Sequence, residues 1–352
     1  MGERIGLILR RKPTSRLLWS LVVVFNGLVL ASVLVAWQYP LSLWVRNTLF
    51  SEVLDDGQIT TEAALNGVLA KRQRRDPAQS NPRRIFSADD LARLDRLREA
   101  SRAGQCQVAT DHPSVRLDPA DCLARALAED VSAFQMGGRC GLDGSLQARI
   151  GQVKDGVGCC SDFNEAYLLR AQAVGLEARE VNNLGHTTAE YFNPEQGRWI
   201  WIDTSNRIQI SDADGELVSA WQLWQREPWR NLRLIKLPPN VATNEQDLLT
   251  NPAFMNKNNS VLYWTNGSNF QELERIEAPL RQLGLPREIV QFVSLALGIR
   301  PGWTVLATGE TAFRMRLSAW LLKGMLQLVV VTNLMLVLAA MGWRLTRNRA
   351  YC

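Results

Sequence analysis

The stretch Gly158-Cys159-Cys160-Ser161-Asp162-Phe163-Asn164-Glu165-Ala166-Tyr167-Leu168-Leu169-Arg170-Ala171-Gln172-Ala173-Val174-Gly175 decides the fold. Phe163, Tyr167, Leu168 and Ala171 recur at helical spacing and Gly175 is a terminator, so a helix is predicted over 160–174. That helix opens on a cysteine. Unpaired amides and the positive end of the macrodipole favour thiolate over thiol at such a position. The same amides can stabilise an oxyanion when a carbonyl is attacked.

Immediately downstream, Gly175-Leu176-Glu177-Ala178-Arg179-Glu180-Val181 reads as a turn and then a strand. His186 to Phe192 and Trp199 to Asp203 read as two more, joined by a turn at Asn193-Pro194-Glu195-Gln196-Gly197. A helix followed by an antiparallel ribbon gives an α+β core with the helix packed on the sheet. Strand alternation puts His186, Thr188 and Glu190 on one face, and Trp199, Trp201 and Asp203 on one face of the next strand. Antiparallel pairing would then bring Asp203 beside His186, opposite the helix start. Cysteine, histidine and aspartate are the parts of an activated thiol: the imidazole is the base, and the carboxylate holds its tautomer.

Each part also has a plainer role. Cys160 can be a disulfide partner with Cys159 free, His186 a strand histidine, and Asp203 the cap of a turn before Thr204-Ser205-Asn206. The other histidine of the chain, His112, sits in Asp111-His112-Pro113 and reads as a surface loop. Asp162 is expected to complement the helix start, and Arg179 to pair with a carboxylate. Glu190, on the face assigned to His186, is a candidate cleft residue. Cys-x-x-Cys and His-x-x-x-His spacings are missing, so no zinc site is expected. With no acidic cluster for calcium either, no cofactor is expected.

The ends of the chain are apolar. Leu17 to Val45 carries no charge between Arg16 and Arg46, with Trp19 and Trp37-Gln38-Tyr39 placed to sit at the two interfaces. Ser318 to Trp343 is a second candidate span, in which Lys323 is close enough to one end to snorkel. Arg4, Arg10, Arg11, Lys12 and Arg16 precede the first span, and Glu52, Asp55 and Asp56 follow it. Basic flanks stay cytoplasmic. The expectation is a two-pass inner (plasma) membrane protein with both termini cytoplasmic and residues 47–315 extracytoplasmic, or periplasmic. In that oxidising setting, Cys106, Cys122, Cys140 and Cys159 are disulfide candidates if Cys160 is the reactive thiol. Cys106–Cys122 and Cys140–Cys159 are preferred because each closes a short loop. A net charge of +5 invites a nucleic-acid reading. Much of that charge flanks the membrane spans or lies in the linker Lys71 to Arg84, and no nucleic-acid motif accompanies it, so no nucleic-acid partner is expected.

Further helices are predicted over 60–69, from a Ser87 cap onward with Leu91, Leu94 and Leu97 as the buried stripe, over 118–136, 218–226, 270–280 and 286–297. Residues 228–259 read as mostly irregular. The resulting organisation is a basic tail (1–16), a first span (17–45), a linker with helices (46–104), the core domain (105–230), a helical region (231–317), a second span (318–343) and a tail (344–352). The many tryptophans, Trp221, Trp224 and Trp229 among them, are expected to be core or interface anchors.

Four pieces of this pattern, in order, resemble the transglutaminase-like superfamily, a branch of the papain-like fold. They are Gly158-Cys159-Cys160-Ser161-Asp162-Phe163, Gly175-Leu176-Glu177-Ala178-Arg179-Glu180-Val181, Gly185-His186, and Trp199 to Asp203. The chain departs from the family pattern at Asn164, Glu177, Thr188, Thr204 and Ser205. The resemblance covers roughly residues 145–210. It implies Cys160 as nucleophile, because Asp162 and Phe163 follow it at the family's offsets, with His186 as general base and Asp203 orienting it. It thereby implies a cysteine peptidase, amidase or acyltransferase that works through a thioester, which the two apolar spans would make a membrane-anchored, bacterial-type member acting at the cell envelope. Its substrate would be a peptide, a protein or an amidated envelope polymer, with membrane lipid and membrane-complex components as further partners. The alternatives are a non-catalytic scaffold in an envelope-assembly complex, and a thiol-disulfide carrier using Cys159 and Cys160.

Overall fold

Trp199-Ile200-Trp201-Ile202 shows how the sequence builds the sheet, since Ile200 and Ile202 enter one core and Trp201 the other. The computed structural model describes residues 20, 22–29, 49–72, 82–105, 117–131, 145–183, 186–225, 232–237, 262–265, 277–285, 289–290, 294 and 303–349. They fall into two units, Phe50–Phe313 and Met1–Leu49 with Arg314–Cys352.

In the larger unit, β1 (Ser51–Asp55) and α1 (Glu62–Arg72) come first, followed by a 3-10 turn (Pro82–Ile85) and α2 (Ala88–Arg102). Next are α3 (Pro119–Val131), α4 (Leu146–Lys154) and α5 (Cys160–Val174). Then come β2 (Ala178–Asn182), β3 (Thr187–Asn193), β4 (Arg198–Ile202), β5 (Ile208–Ser211), α6 (Ala220–Gln225), β6 (Arg233–Lys236), β7 (Leu262–Thr265) and β8 (Trp303–Ala307). The six-stranded sheet has the order β1-β8-β7-β2-β3-β4, antiparallel throughout except for the β1–β8 pair. β5 and β6 form a separate antiparallel ribbon. The α+β class, with a helix packed on antiparallel strands, is therefore present.

One face of the sheet packs Ala189, Tyr191, Ile200 and Ile202 against α3, α4 and α5. The opposite face packs Val181, Trp201, Trp264 and Leu306 against α1, α6 and the β5–β6 ribbon. Trp201, Trp224 and Trp264 are fully buried, as expected of core anchors. Such rings each bury on the order of 150–250 Å² and need a partner for their N–H when enclosed. Trp201 donates to Thr188 Oγ1 at 2.9 Å and Trp264 to Glu190 Oε2 at 3.0 Å.

Several elements differ from the sequence reading. Ser87 caps α2 as expected, its Oγ accepting from the Asp90 amide. α3 is described to Val131, and the rest of the helix expected over 118–136 lies outside the described residues. The stretches 46–104 and 231–317, set apart from the core on sequence, contribute β1, α1, α2, β6, β7 and β8 to the same compact unit. β6 lies in the stretch that reads as irregular. β6 has 4 residues, too few to show a periodicity against its polar surroundings. Of the helices expected at 270–280 and 286–297, helical turns are described at 277–282, 289–290 and 294, and the remainder lies outside the described residues.

In the smaller unit, residues 22–29 are helical, and the rest of the first expected span, apart from Ser20, lies outside the described residues. The second expected span lies within one long helix, α7 (Gly309–Arg349), which starts nine residues before Ser318. Among the described residues it is the helix long and apolar enough to cross a membrane, over the 27 residues Gly309–Met335. Asn333 Nδ2 donates to Asn26 Oδ1 at 2.8 Å.

Glu190 is not a cleft residue. It is fully buried and paired with Arg179, whose Nη2 lies 2.6 Å from Glu190 Oε2. Its other oxygen accepts from the Ala220 amide at 2.7 Å. Truncation in Glu190→Ala strands the guanidinium in the core and should cost about 3–5 kcal/mol. Thermal unfolding of the detergent-solubilised full chain should show the lowered midpoint.

Candidate active site

The loop Gly156-Val157-Gly158 delivers the chain to α5 through two left-handed glycines, with φ 77° at Gly156 and 131° at Gly158. A side chain at either would be strained. Cys159 is the N-cap, and its amide donates to Asp162 Oδ2 at 3.0 Å. Asp162 thus complements the helix start as expected and does so away from the chemistry. The helix begins at Cys160 and ends at Val174, with Gly175 in the left-handed conformation at φ 78°. Those bounds match the sequence reading residue for residue.

Cys160 is the free cysteine among the described residues. Cys122 and Cys159 are disulfide-bonded. No disulfide joins two described cysteines, and Cys106 and Cys140 lie outside the described residues, as does His112. Because Cys159 is already bonded, it does not form a vicinal disulfide with Cys160.

His186 and Asp203 each lie one residue outside a strand, His186 just before β3 and Asp203 just after β4. Pleat alternation therefore does not set their direction. Thr188 and Glu190 are engaged with Trp201 and Trp264 in the second core. The His186 ring and the Cys160 thiol at the start of α5 are near enough for each to shift the other's ionisation. Local turns do the aiming. The His186 amide donates to Asn183 Oδ1 at 2.7 Å, and the Asn183 amide to the His186 carbonyl at 3.0 Å. Asp203 is locked to Ile208 by reciprocal backbone bonds of 2.9 and 3.1 Å. Within this turn Arg207 adopts φ 53°, a left-handed conformation uncommon for a residue with a side chain.

The sequence-derived trio comes together. His186 Nε2 lies 2.6 Å from Asp203 Oδ2. That leaves Nδ1 as the ring nitrogen available to sulfur. The Thr187 amide also favours the ionised form of the Cys160 sulfur. Asp203 is fully buried, the His186 side chain is 15% exposed, and Cys160 is half-buried.

The electrostatics follow from this packing. At Cys160, burial favours the neutral thiol, but the hydrogen bond and charge of His186 and the Thr187 amide prevail and lower its pKa, against a small opposing push from Asp203. At His186, burial disfavours the imidazolium, yet the Asp203 charge and hydrogen bond, joined by Cys160, raise its pKa to about 10. At Asp203, burial is likewise overcome, by His186 and by the Asn206 amide and side chain, and the carboxyl is held below its usual range. All three shifts run toward the charged forms: thiolate, imidazolium and carboxylate.

Sequence reasoning treated the turn-capping and orienting roles of Asp203 as alternatives. It performs both, one with each oxygen. Oδ1 accepts from the Ser205 amide at 3.0 Å, Ser205 Oγ at 2.8 Å and the Asn206 amide at 2.9 Å. Oδ2 serves His186. Asn206 was missed as a site residue, although an aspartate followed at two and three residues by Ser-Asn is the signature of an Asx turn.

Arranged this way, the site can hold an ionised thiol at a helix N-terminus with a proton donor beside it. No protein-family model matches the chain, and no curated protein matches it.

A lowered cysteine pKa means that reactivity persists at a pH where an ordinary thiol, of pKa about 8.5, is silent. It disappears as pH falls through the lowered value. Iodoacetamide at about pH 6.5 should therefore alkylate Cys160 readily in the wild type. His186→Ala should slow that reaction about tenfold or more and move its onset to higher pH, as read by peptide mass spectrometry.

Proposed function

We propose that this chain is a cysteine-dependent acyl-transfer enzyme of the transglutaminase-like kind, acting on amide bonds outside the cytoplasm. The observation that carries the proposal is the line Cys160–His186–Asp203. It joins a free thiol at a helix start to an imidazole, held 2.6 Å from a buried carboxylate. The family resemblance of the four sequence pieces supports it.

The reaction proceeds in two halves. The Cys160 thiolate attacks the amide carbonyl, and the carbonyl electron pair moves to oxygen beside the amides that open α5. As the C–N bond breaks, the amine departs with the proton from the His186 imidazolium, leaving a thioester on Cys160 and a neutral ring. The neutral imidazole then takes a proton from the incoming nucleophile. Water gives a carboxylic acid, and a primary amine gives a new amide. In both cases the C–S bond breaks and the proton returns to the thiolate–imidazolium pair. Asp203 remains a carboxylate throughout and fixes the ring.

The location is the inner membrane, with two spans and cytoplasmic termini. Supporting this are the apolar helix α7, the helical residues 22–29, and the hydrogen bond of 2.8 Å from Asn333 to Asn26, the kind of contact that fastens helices where water is excluded. Substrates are accordingly peptides, proteins or amidated polymers of the cell envelope.

Two measurements test this reading. Full-length protein in detergent, incubated with glutamine-containing peptides with or without cadaverine, should release ammonia and form acid or amine-adduct products. Cys160→Ala should lower the rate by about 10³-fold or more. A wild-type Cys160 no more reactive than an ordinary thiol, with no product in either assay, would instead indicate a scaffold that keeps the fold without catalysis. For topology, a membrane-impermeant maleimide should label Cys160 in intact spheroplasts, whereas a Lys12→Cys variant should be labelled at position 12 only after permeabilisation.

A further inference from the structure

Asp203 Oδ2 is shared. Besides His186 Nε2 at 2.6 Å, it accepts from Asn206 Nδ2 at 2.8 Å. Asn206 Nδ2 also lies 3.4 Å from His186 Nε2. A carboxylate offers only acceptors, so the ring nitrogen facing Asp203 carries its hydrogen, and the two nitrogens are two donors converging on one oxygen. Asn206 itself is held in place, because its own amide donates to Asp203 Oδ1 at 2.9 Å. The carboxylate consequently receives five hydrogen bonds, and only one of them comes from histidine.

This arrangement acts on the proton affinity of the ring in two ways. The Asn206 N–H competes for the same oxygen and stabilises the carboxylate without the help of the imidazolium. Its positive end also faces the positive Nε2–H across 3.4 Å. Both effects make the imidazolium less favourable than Asp203 alone would make it. That restraint matters, because an imidazolium held too tightly is a poor general acid toward the leaving amine.

We propose that Asn206 is a positioning residue that moderates the Asp203–His186 pair: it fixes the carboxylate plane and weakens its hold on the ring proton, so that His186 can release that proton during acyl transfer. The inference rests on the reading of Cys160 and His186 as a working pair. The titratable side chains acting on the ring are Asp203, from the end of β4, and Cys160, from the start of α5.

The pH dependence of Cys160 alkylation by iodoacetamide tests the proposal without knowledge of the substrate. In wild-type full-length protein the profile should show two inflections, one for forming the thiolate–imidazolium pair and one for loss of the ring proton. In Asn206→Ala the lower inflection should fall and the upper should rise, widening the window by about one pH unit. Asn206→Asp keeps a residue that tolerates the turn and adds a negative charge beside the ring, so it should raise the upper inflection further. Ser205→Ala loses one donor on the far oxygen and should move both inflections by less than half as much. Thermal midpoints identify a variant that has lost its fold, in which case the Asn206→Asp profile decides. An unchanged or narrowed window in the folded Asn206 variants overturns the role of Asn206 while leaving the enzyme reading intact. A single wild-type inflection near that of an ordinary thiol, indifferent to His186→Ala, overturns both.

Discussion

A buried carboxylate holds this sheet in register. Glu190 takes the Arg179 guanidinium from the neighbouring strand, the Ala220 amide from α6 and the Trp264 indole from β7. Arg179 is satisfied in turn by Asn66 of α1 at 3.0 Å, and its guanidinium stacks over the Trp199 ring with Cζ 3.8 Å from the centroid. An enclosed charge without such partners would cost several kcal/mol, so the network is stable only as a whole. Because Arg179 and Glu190 are cross-strand partners, their pairing fixes the β2–β3 register. A slip of one residue would send every side chain of β3 to the opposite face.

That register is what places the chemistry. With β3 fixed, Thr187 and His186 are held near enough to Cys160, at the start of α5, to influence its ionisation. With β4 fixed against β3, Asp203 follows within reach of the ring. The candidate site is thus assembled from strand ends and the turns beyond them, anchored by a core whose residues lie outside it. The ionisation states follow from the same economy. Three titratable groups are packed together, and their mutual charges and hydrogen bonding oppose the desolvation of each, shifting all three toward their charged forms.

The legible parts of this chain were those with local causes. The helix 160–174 was readable to its ends, because its apolar spacing, its opening cysteine and its terminal glycine are encoded within one window. The three strands after it were readable to within a residue or two. The short strands β1, β6, β7 and β8 were not, since a segment of 4 or 5 residues becomes a strand only when a neighbour pairs with it. Glu190 was misread for a related reason. Alternation assigned it correctly to the face it shares with Thr188, but it says nothing about whether a face meets solvent or a second core.

The sequence by itself determined the helix that opens on Cys160 and, to within a residue, the strands beside His186 and Asp203, because helix periodicity and turn composition are properties of neighbouring residues. Only the tertiary structure decided how these residues are aimed. His186 and Asp203 lie just outside their strands, so their directions come from the turns at Asn183 and Asn206 and from backbone pairing between segments distant in the chain. Those are long-range constraints, which no local pattern of side chains can express.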